Sequence, residues 1–140
     1  MTGLTIGKLA EETGVGVETV RFYERKGLIA QPVKPLKGFR EYSEEEIERI
    51  RFIRQAQDLG FSLAEIADLL KLKTTPGTQC GVVRQQAVIK LNDVEWKIDA
   101  LMRMKAGLVR VIEACPGQGG LDSCTIIQAI EQPELIKKRQ

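Results

Sequence analysis

The stretch between Cys80 and Cys115 is the feature that most constrains how this chain can fold. It contains no proline and only two glycines, Gly81 and Gly107, so it is predicted to form one uninterrupted helix. At 1.5 Å per residue such a helix is roughly 50 Å long. Apolar residues recur along it at alternating spacings of three and four, which is typical of a coiled coil over about four heptads. This seam consists of Ala87, Leu91, Val94, Ile98, Leu101, Leu108 and Ile112, with Lys105 at the remaining position. A chain of 140 residues has too small a core to cover so long a helix, so a dimer is predicted.

The three cysteines lie at the two ends of this helix, in a chain without histidine. Cys80 stands at its start, whereas Cys115 and Cys124 follow its end, so one chain cannot bring all three thiols to one ion. A second chain that runs antiparallel places its own Cys80 beside Cys115 and Cys124. The sequence therefore predicts a thiolate metal site made of Cys115, Cys124 and Cys80 of the partner subunit. For any single cysteine, a small buried thiol without a ligand is the alternative.

The chemistry of the thiols narrows the choice of metal. Thiolates without imidazole favour soft ions such as Hg(II), Pb(II), Cd(II) or Cu(I) over magnesium, calcium, manganese or nickel. Structural zinc normally takes four ligands, and Asp122 or Glu113 could supply an oxygen, so zinc is disfavoured but remains open. An iron–sulfur cluster usually needs four cysteines. Cys80 and Cys124 are each predicted near a helix start, where the helix dipole favours a thiolate.

The N-terminal part has the pattern of a helix-turn-helix. Thr5 is predicted to cap a helix from Ile6 to Thr13 that ends at Gly14. A second helix is predicted from Val17 to Lys26, with Gly27 as its left-handed terminator. Two short helices joined by a tight glycine-containing turn form this motif.

Two further helices are predicted after an irregular stretch. Residues 28–42 contain Pro32 and Pro35 and then alternate as a short turn or strand would, which predicts a wing. Capping boxes are predicted at Ser43 with Glu46 and at Ser62 with Glu65. The first begins a helix that ends at Gly60 and the second a helix from Leu63 to about Leu72. The inward residues are predicted to be Ile47, Ile50, Ile53, Ala56, Leu59, Ile66, Leu69 and Leu70. After the long helix, Asp122 or Ser123 is predicted to cap a last helix from Cys124 to Glu131, ended by Pro133 and followed by a frayed tail.

Charge is distributed unevenly although the net charge is only +2. Residues 21–40 hold six basic residues against one acid, a local charge of +5, and residues 41–48 then hold five acids. A basic surface next to an acidic helix start suits an element that contacts phosphates beside a structural helix.

These motifs resemble the MerR family of bacterial transcription regulators over nearly the whole chain. Residues 4–7 and 20–28 are similar to the family's helix-turn-helix, residues 38–42 to its wing, and residues 59–66 to its next helix and turn. The cysteine spacing resembles that of the mercury-responsive members. The resemblance implies a mainly α fold with three parts: a winged helix-turn-helix DNA-binding domain (1–74), an antiparallel coiled-coil dimerisation helix (75–114), and a metal-binding loop, short helix and tail (115–140).

The resemblance also implies a function. Such homodimers bind double-stranded promoter DNA, hold RNA polymerase inactive without metal, and activate transcription by distorting the DNA when metal binds. Lead- and cadmium-responsive members share the three cysteine positions. Copper- and gold-type members lack a cysteine where Cys80 stands, and zinc-type members carry additional ligands. Hg(II) is therefore the first expected inducer, with Pb(II), Cd(II) or Zn(II) as alternatives.

Seven residues are predicted to contact DNA. Thr19, Arg21 and Tyr23 belong to the second helix, and Lys37, Gly38, Arg40 and Tyr42 to the wing. For Tyr23 and Tyr42 core packing is the alternative, and Phe22 and Phe39 are assigned to the core on the same ground.

Other classes of function fit the sequence less well. A thiol redox enzyme would normally show a Cys-x-x-Cys pair, a histidine base or a cofactor motif, and the sequence has none of these. The chain is therefore predicted not to be an enzyme. No apolar run is long enough for a membrane span and the N-terminus does not resemble a signal peptide, so a cytoplasmic protein without a membrane partner is expected.

Overall fold

The computed structural model describes residues 3–132 and is mainly helical. Its α-helices are α1 (Ile6–Thr13), α2 (Val17–Arg25), α3 (Glu45–Asp58), α4 (Leu63–Thr74), α5 (Cys80–Ala114) and α6 (Thr125–Glu131), with a short 3-10 helix at Leu121–Ser123. Contacts between residues divide the chain into two compact units, the first ending at Lys90 and the second beginning at Leu91. The predicted fold class, mainly α with a helix-turn-helix and a long helix, is confirmed.

The helix-turn-helix forms where the sequence predicts it. The Thr5 hydroxyl accepts a hydrogen bond of 3.2 Å from the backbone N–H of Lys8, and Gly14 ends α1 with a left-handed φ of 72°. Gly27, at φ 75°, turns the chain after α2. Left-handed backbone favours glycine, so these two positions fix where both helices stop.

The wing is a loop rather than a strand. Among the described residues between α2 and α3, Tyr42 forms an isolated antiparallel bridge with Leu4, which precedes α1. Its two hydrogen bonds run from Leu4 N to Tyr42 O at 2.8 Å and from Tyr42 N to Leu4 O at 2.7 Å. The predicted alternation therefore yields one paired residue, Tyr42, which ties the end of the wing to the segment before α1.

The start and end of α3 differ from the prediction. No side chain caps α3: Glu44 is the N-cap residue, and its backbone is already helical. The capping box predicted at Ser43 and Glu46 is wrong, because Ser43 contributes only its carbonyl oxygen, which accepts from Glu46 N at 3.1 Å. Leu59 was predicted to face inward, but it lies past the end of the helix and is 70% exposed.

The predicted capping box of α4 is confirmed. The Ser62 hydroxyl accepts from Glu65 N at 3.2 Å, and Glu65 Oε1 accepts from Ser62 N at 2.7 Å. The helix continues to Thr74, two residues beyond the predicted end. Both first-turn amides are thus paired locally, which fixes the start of α4.

The core of the first unit is formed by apolar side chains from α1 to α4. Its fully buried members are Leu9, Val20, Ile50, Ile53 and Ile66. Tyr23 and Tyr42 also belong to it, each 3% exposed. These contacts hold α2 and the wing on one helical base.

The long helix is confirmed as one element of 35 residues. Its seam is uncovered: Leu91, Ile98, Leu101, Leu108 and Ile112 are each more than half exposed. Contiguous exposed apolar surface of this kind marks an interaction site.

The cap predicted for the last helix, at Asp122 or Ser123, is wrong. The residue at the N-cap of α6 is Cys124, whereas Asp122 and Ser123 belong to the preceding 3-10 helix. The predicted stop at Pro133 and the tail lie outside the described residues. Within the described part of the chain, no helix is long and apolar enough to cross a membrane.

The two predicted capping boxes allow a matched test. Ser62→Ala removes a hydroxyl that accepts from Glu65 N, so the free energy of unfolding is expected to fall by about 1 kcal/mol. Ser43→Ala removes a hydroxyl that makes no cap, and should change stability by less than about 0.5 kcal/mol. Urea denaturation at one protein concentration measures both. Equal losses in the two variants would contradict the assignment of the caps.

Candidate metal centre and DNA interface

Two of the three cysteines lie together in the second unit. Cys115 directly follows α5, and the chain then turns through Gly117 and Gly119, at φ 73° and 96°. The backbone N–H of Gly117 lies 3.4 Å from Cys115 Sγ. Cys124 stands at the start of α6, and Cys115 lies close enough to it to lower the pKa of its thiol. The glycine loop thus presents two sulfurs to one place.

The environment of Cys124 favours its thiolate form. The backbone N–H of Ile127 is the largest cause of a lowered pKa, and the N–H of Ile126 and the Cys115 side chain act in the same direction. Burial opposes them by raising the pKa. Free amides at a helix start stabilise a negative charge on sulfur, so Cys124 has the chemistry of a metal ligand.

Cys80 belongs to the first unit, where it is the exposed first residue of α5. No group of three or more His, Cys, Asp or Glu side chains able to hold a metal occurs within residues 3–132. Asp122 and Glu113, the predicted alternative oxygen ligands, therefore join no such group. The structure brings Cys115 and Cys124 together, and the place of Cys80 in the site stays a prediction.

Five of the seven DNA-binding candidates are exposed or half-buried on α2 and the wing. Arg21 is exposed and pairs with Glu18 at 3.4 Å, while Arg40 Nε donates to Pro32 O at 3.0 Å. Lys37 is exposed, Thr19 is half-buried, and a Cβ at Gly38 (φ 91°) would meet open space. A cavity of about 200 Å³ separates α2 from the wing, and its lining includes Arg21, Lys34 and Arg40. The cations are thus arranged around one concave surface.

The two tyrosines pack in the core, which corrects their selection as DNA contacts. Tyr23 OH donates to Gln57 Oε1 at 2.9 Å, and Tyr42 OH donates to Glu24 Oε1 at 2.7 Å. Burial and the bond to Glu24 raise the pKa of Tyr42 to about 12. Both hydroxyls are therefore neutral and occupied within the fold, where they tie α2 to α3 and the wing to α2.

Phe39 and Lys34 are residues of this face that the selection from sequence left out. Phe39 was assigned to the core, but it is 80% exposed on the wing. Lys34 lines the same cavity as Arg21 and Arg40. Its three-residue spacing with Lys37 and Arg40 is the signal that could have identified it.

A helix-turn-helix carrying a basic face, followed by a long helix, defines a DNA-binding transcription regulator. Residues 4–73 match the family model described as MerR HTH family regulatory protein, and residues 47–111 match the model described as MerR, DNA binding. The chain belongs to the MerR family.

Relatives in this family cover nearly the whole chain. The mercuric resistance operon regulatory protein of Pseudomonas fluorescens is 45% identical over 131 residues, which span 94% of this chain and 90% of the relative. Among solved structures, PbrR691 of Ralstonia metallidurans CH34 in complex with lead(II) matches with a TM-score of 0.81 and 30% identity, covering 91% of this chain and 98% of that one. MerR of Bacillus megaterium in complex with mercury(II) matches with a TM-score of 0.69 and 33% identity, covering 92% and 100%.

The lowered pKa of Cys124 is testable through its reactivity. Because the thiolate is the reactive form, alkylation of Cys124 should reach half its maximal rate at a lower pH than that of free cysteine. Mass spectrometry of the reduced protein, treated with iodoacetamide across a pH series, separates the cysteines by peptide. A Cys115→Ser control should keep most of the shift, since the amide of Ile127 is its main cause. A midpoint at or above that of free cysteine would contradict the assignment.

Proposed function

We propose that this protein is a Hg(II)-responsive regulator of mercury resistance genes. It binds promoter DNA as a homodimer, represses transcription without metal and activates it when metal binds. The observation that carries the proposal is the position of Cys124 at the start of α6, where backbone amides and the nearby Cys115 side chain lower the pKa of its thiol. The name of the Pseudomonas fluorescens relative, at 45% identity, supports mercury as the metal.

The proposed site combines both chains. Cys115 and Cys124 supply two thiolates, and the partner's Cys80 supplies the third. Its chemistry is that of a soft trigonal site, since sulfur ligands without imidazole or carboxylate select soft ions. A bound divalent metal offsets most of the charge of the three thiolates and links the two subunits.

The uncovered seam of α5 supports the homodimer. Five of its large apolar side chains are more than half exposed in the single chain. Burying one such side chain completely contributes about 1.5–3 kcal/mol, so covering the seam is worth several times that amount as an upper estimate. An antiparallel partner helix covers it along its length and brings Cys80 of each chain to the far end of the other.

The basic face supports binding to promoter DNA. Arg21 on α2 can take a guanine edge or a phosphate, while Lys37 and Arg40 suit phosphates flanking the groove. Gly38 lets the wing backbone approach closely, and Thr19 lies on the same helix as Arg21. Two such faces in a dimer fit two half-sites of a duplex.

The regulatory step follows from linkage. Metal shifts the dimer only if it binds one arrangement of the subunits more tightly than another. The favoured arrangement then distorts the promoter, and contacts to phosphates offset the energy of deformation. RNA polymerase held at that promoter is thereby allowed to begin transcription.

Lead(II) sensing is the second candidate. It is favoured by one observation: the lead(II) complex of PbrR691 matches this chain with a TM-score of 0.81, against 0.69 for the mercury(II) complex. Cd(II) and Zn(II) belong to the same alternative.

A reporter panel decides between these metals. With this gene and its own promoter in a host without resistance genes, Hg(II) should induce at the lowest concentration, because it is the softest of the four ions. Pb(II), Cd(II) and Zn(II) form the other arms, and a Cys124→Ser variant is the control that should abolish the response. Induction by Pb(II) below the Hg(II) threshold would replace the first candidate by the second.

A mixed dimer tests whether the site is shared. A Cys80→Ser chain and a Cys115→Ser/Cys124→Ser chain each lack a complete site as homodimers. Their heterodimer regains one complete site if the thiols come from two chains. Titration of the isolated heterodimer with Hg(II) in the presence of a competing thiol should therefore give about half of the wild-type charge-transfer absorbance, since it holds one site in place of two. Absence of any restored signal would show that the metal is held within one chain.

A further inference from the structure

A buried charge joins the start of α5 to the DNA-binding unit. Among the described residues of α5, Lys90 alone is buried, at 8% exposure. Its Nζ lies 2.8 Å from Glu65 Oε1 and 5.9 Å from the centroid of the Phe61 ring. Because a buried ammonium is costly unless it is paired, this contact holds α5 in one position against α4.

Glu65 serves two helices with the same oxygen. Its Oε1 also accepts from Ser62 N at 2.7 Å, which closes the capping box at the start of α4. The hydrogen bond from Lys90 is the largest cause of a lowered Glu65 pKa, followed by the bond from the Ser62 backbone. The carboxylate is therefore ionised while it holds both groups. The next residue, Ile66, is fully buried in the core. A displacement at Glu65 is therefore expected to reach the core on which α2 and the wing pack.

Lys90 is also close along the helix to the proposed metal ligand at its start. Cys80 and Lys90 belong to the same helix and the same compact unit. Ten residues separate them, which corresponds to about 15 Å of helical rise. A rotation or shift imposed on Cys80 therefore reaches Lys90 within three turns of helix.

We propose that the Lys90–Glu65 pair couples the metal site to the DNA-binding unit by transmitting movement of the first turns of α5 to the start of α4. The inference rests on the proposed function and names the contact through which that function operates. Lys90 is a positioning residue: its assigned role is to fix α5 against α4, without contact to metal or DNA.

Two substitutions each remove one charge of the Lys90–Glu65 pair. Lys90→Met keeps the length and apolar stem of the side chain, and Glu65→Gln keeps an oxygen that accepts from Ser62 N. Lys97→Met is the matched control, because Lys97 pairs with Asp93 at 3.1 Å within α5 and its own side chain is 68% exposed. Lys90→Arg restores the charge.

The measurement is the Hg(II) affinity of the full-length dimer, free and bound to its promoter DNA, under a competing thiol. The ratio of the two affinities is the coupling, and it should be about fivefold or more in the wild type. In Lys90→Met and Glu65→Gln we expect this ratio to fall to within about twofold of one, as coupling is lost. Metal affinity without DNA, and DNA affinity without metal, should stay within about threefold of wild type. Lys97→Met and Lys90→Arg should keep the wild-type ratio.

Other outcomes overturn the inference. If Lys90→Met and Glu65→Gln keep the wild-type ratio, the pair does not transmit the signal. If both variants fold by circular dichroism but lose DNA binding without metal, the pair is structural only. If Lys90→Met does not fold, Glu65→Gln decides, because it preserves the cap of α4. A wild-type ratio of one would contradict the proposed function itself, which separates that failure from failure of the coupling.

Discussion

The uncovered apolar seam of α5 is the constraint on which the rest of the molecule depends. Helix α5 has 35 residues, and five large apolar side chains of its seam are more than half exposed. Apolar surface of this extent is unfavourable in water when a single chain leaves it uncovered. In the proposed homodimer a second α5 covers this seam, and the antiparallel arrangement is the one that also completes the proposed thiolate site. Under this proposal, association and metal binding depend on the same surface. A regulator built in this way cannot bind its metal fully as a single chain.

Polar groups near the core serve to fix helices relative to one another. Tyr42 pairs with Glu24 and Tyr23 with Gln57, so each aromatic ring fills core volume while its hydroxyl ties two elements together. Glu65 does the same between α4 and α5, at a point where its carboxylate already caps a helix. The neutral bond between Tyr23 and Gln57 contributes about 0.5–1.5 kcal/mol to stability, and a bond to a charged carboxylate, such as that of Tyr42 to Glu24, about 1.5–3 kcal/mol. They also connect elements: α2 to α3, the wing to α2, and the first turns of α5 to α4.

Regular elements could be predicted from the sequence, and contacts between elements could not. Thr5, Gly14 and Gly27 act within one turn of their own position, so α1 and α2 form as predicted. Prediction from a local capping residue fails at Ser43. Helix α3 starts at Glu45, its N-cap residue is Glu44, and no side chain makes a cap hydrogen bond there. Tyr23, Tyr42 and Phe39 differ for another reason. Whether an aromatic side chain is buried depends on what packs over it, and spacing along the chain carries no information about that.

For the thiols, too, local position could be predicted from the sequence and contacts between segments could not. Their positions at helix boundaries predict that Cys124 meets free amides, and the structure places it at the N-cap of α6. The proximity of Cys115 to Cys124 depends on the path of a glycine loop with two left-handed residues, which spacing alone does not determine. Lys90 could not have been identified from its position, because a lysine on a long exposed helix is normally solvated. Only its burial against Glu65 distinguishes it from Lys97.

The relative size of these energies determines what metal can do. Burying the seam involves several large apolar side chains, each worth about 1.5–3 kcal/mol, so the dimer is expected to persist with or without metal. Coupling energies between sites are typically about 1–3 kcal/mol, far less than is needed to assemble or separate the subunits. In the proposed function, metal therefore acts by favouring one of two arrangements of a dimer that is already formed. That choice affects DNA only if α5 and the DNA-binding unit move together, which requires a stiff contact near the thiol that moves.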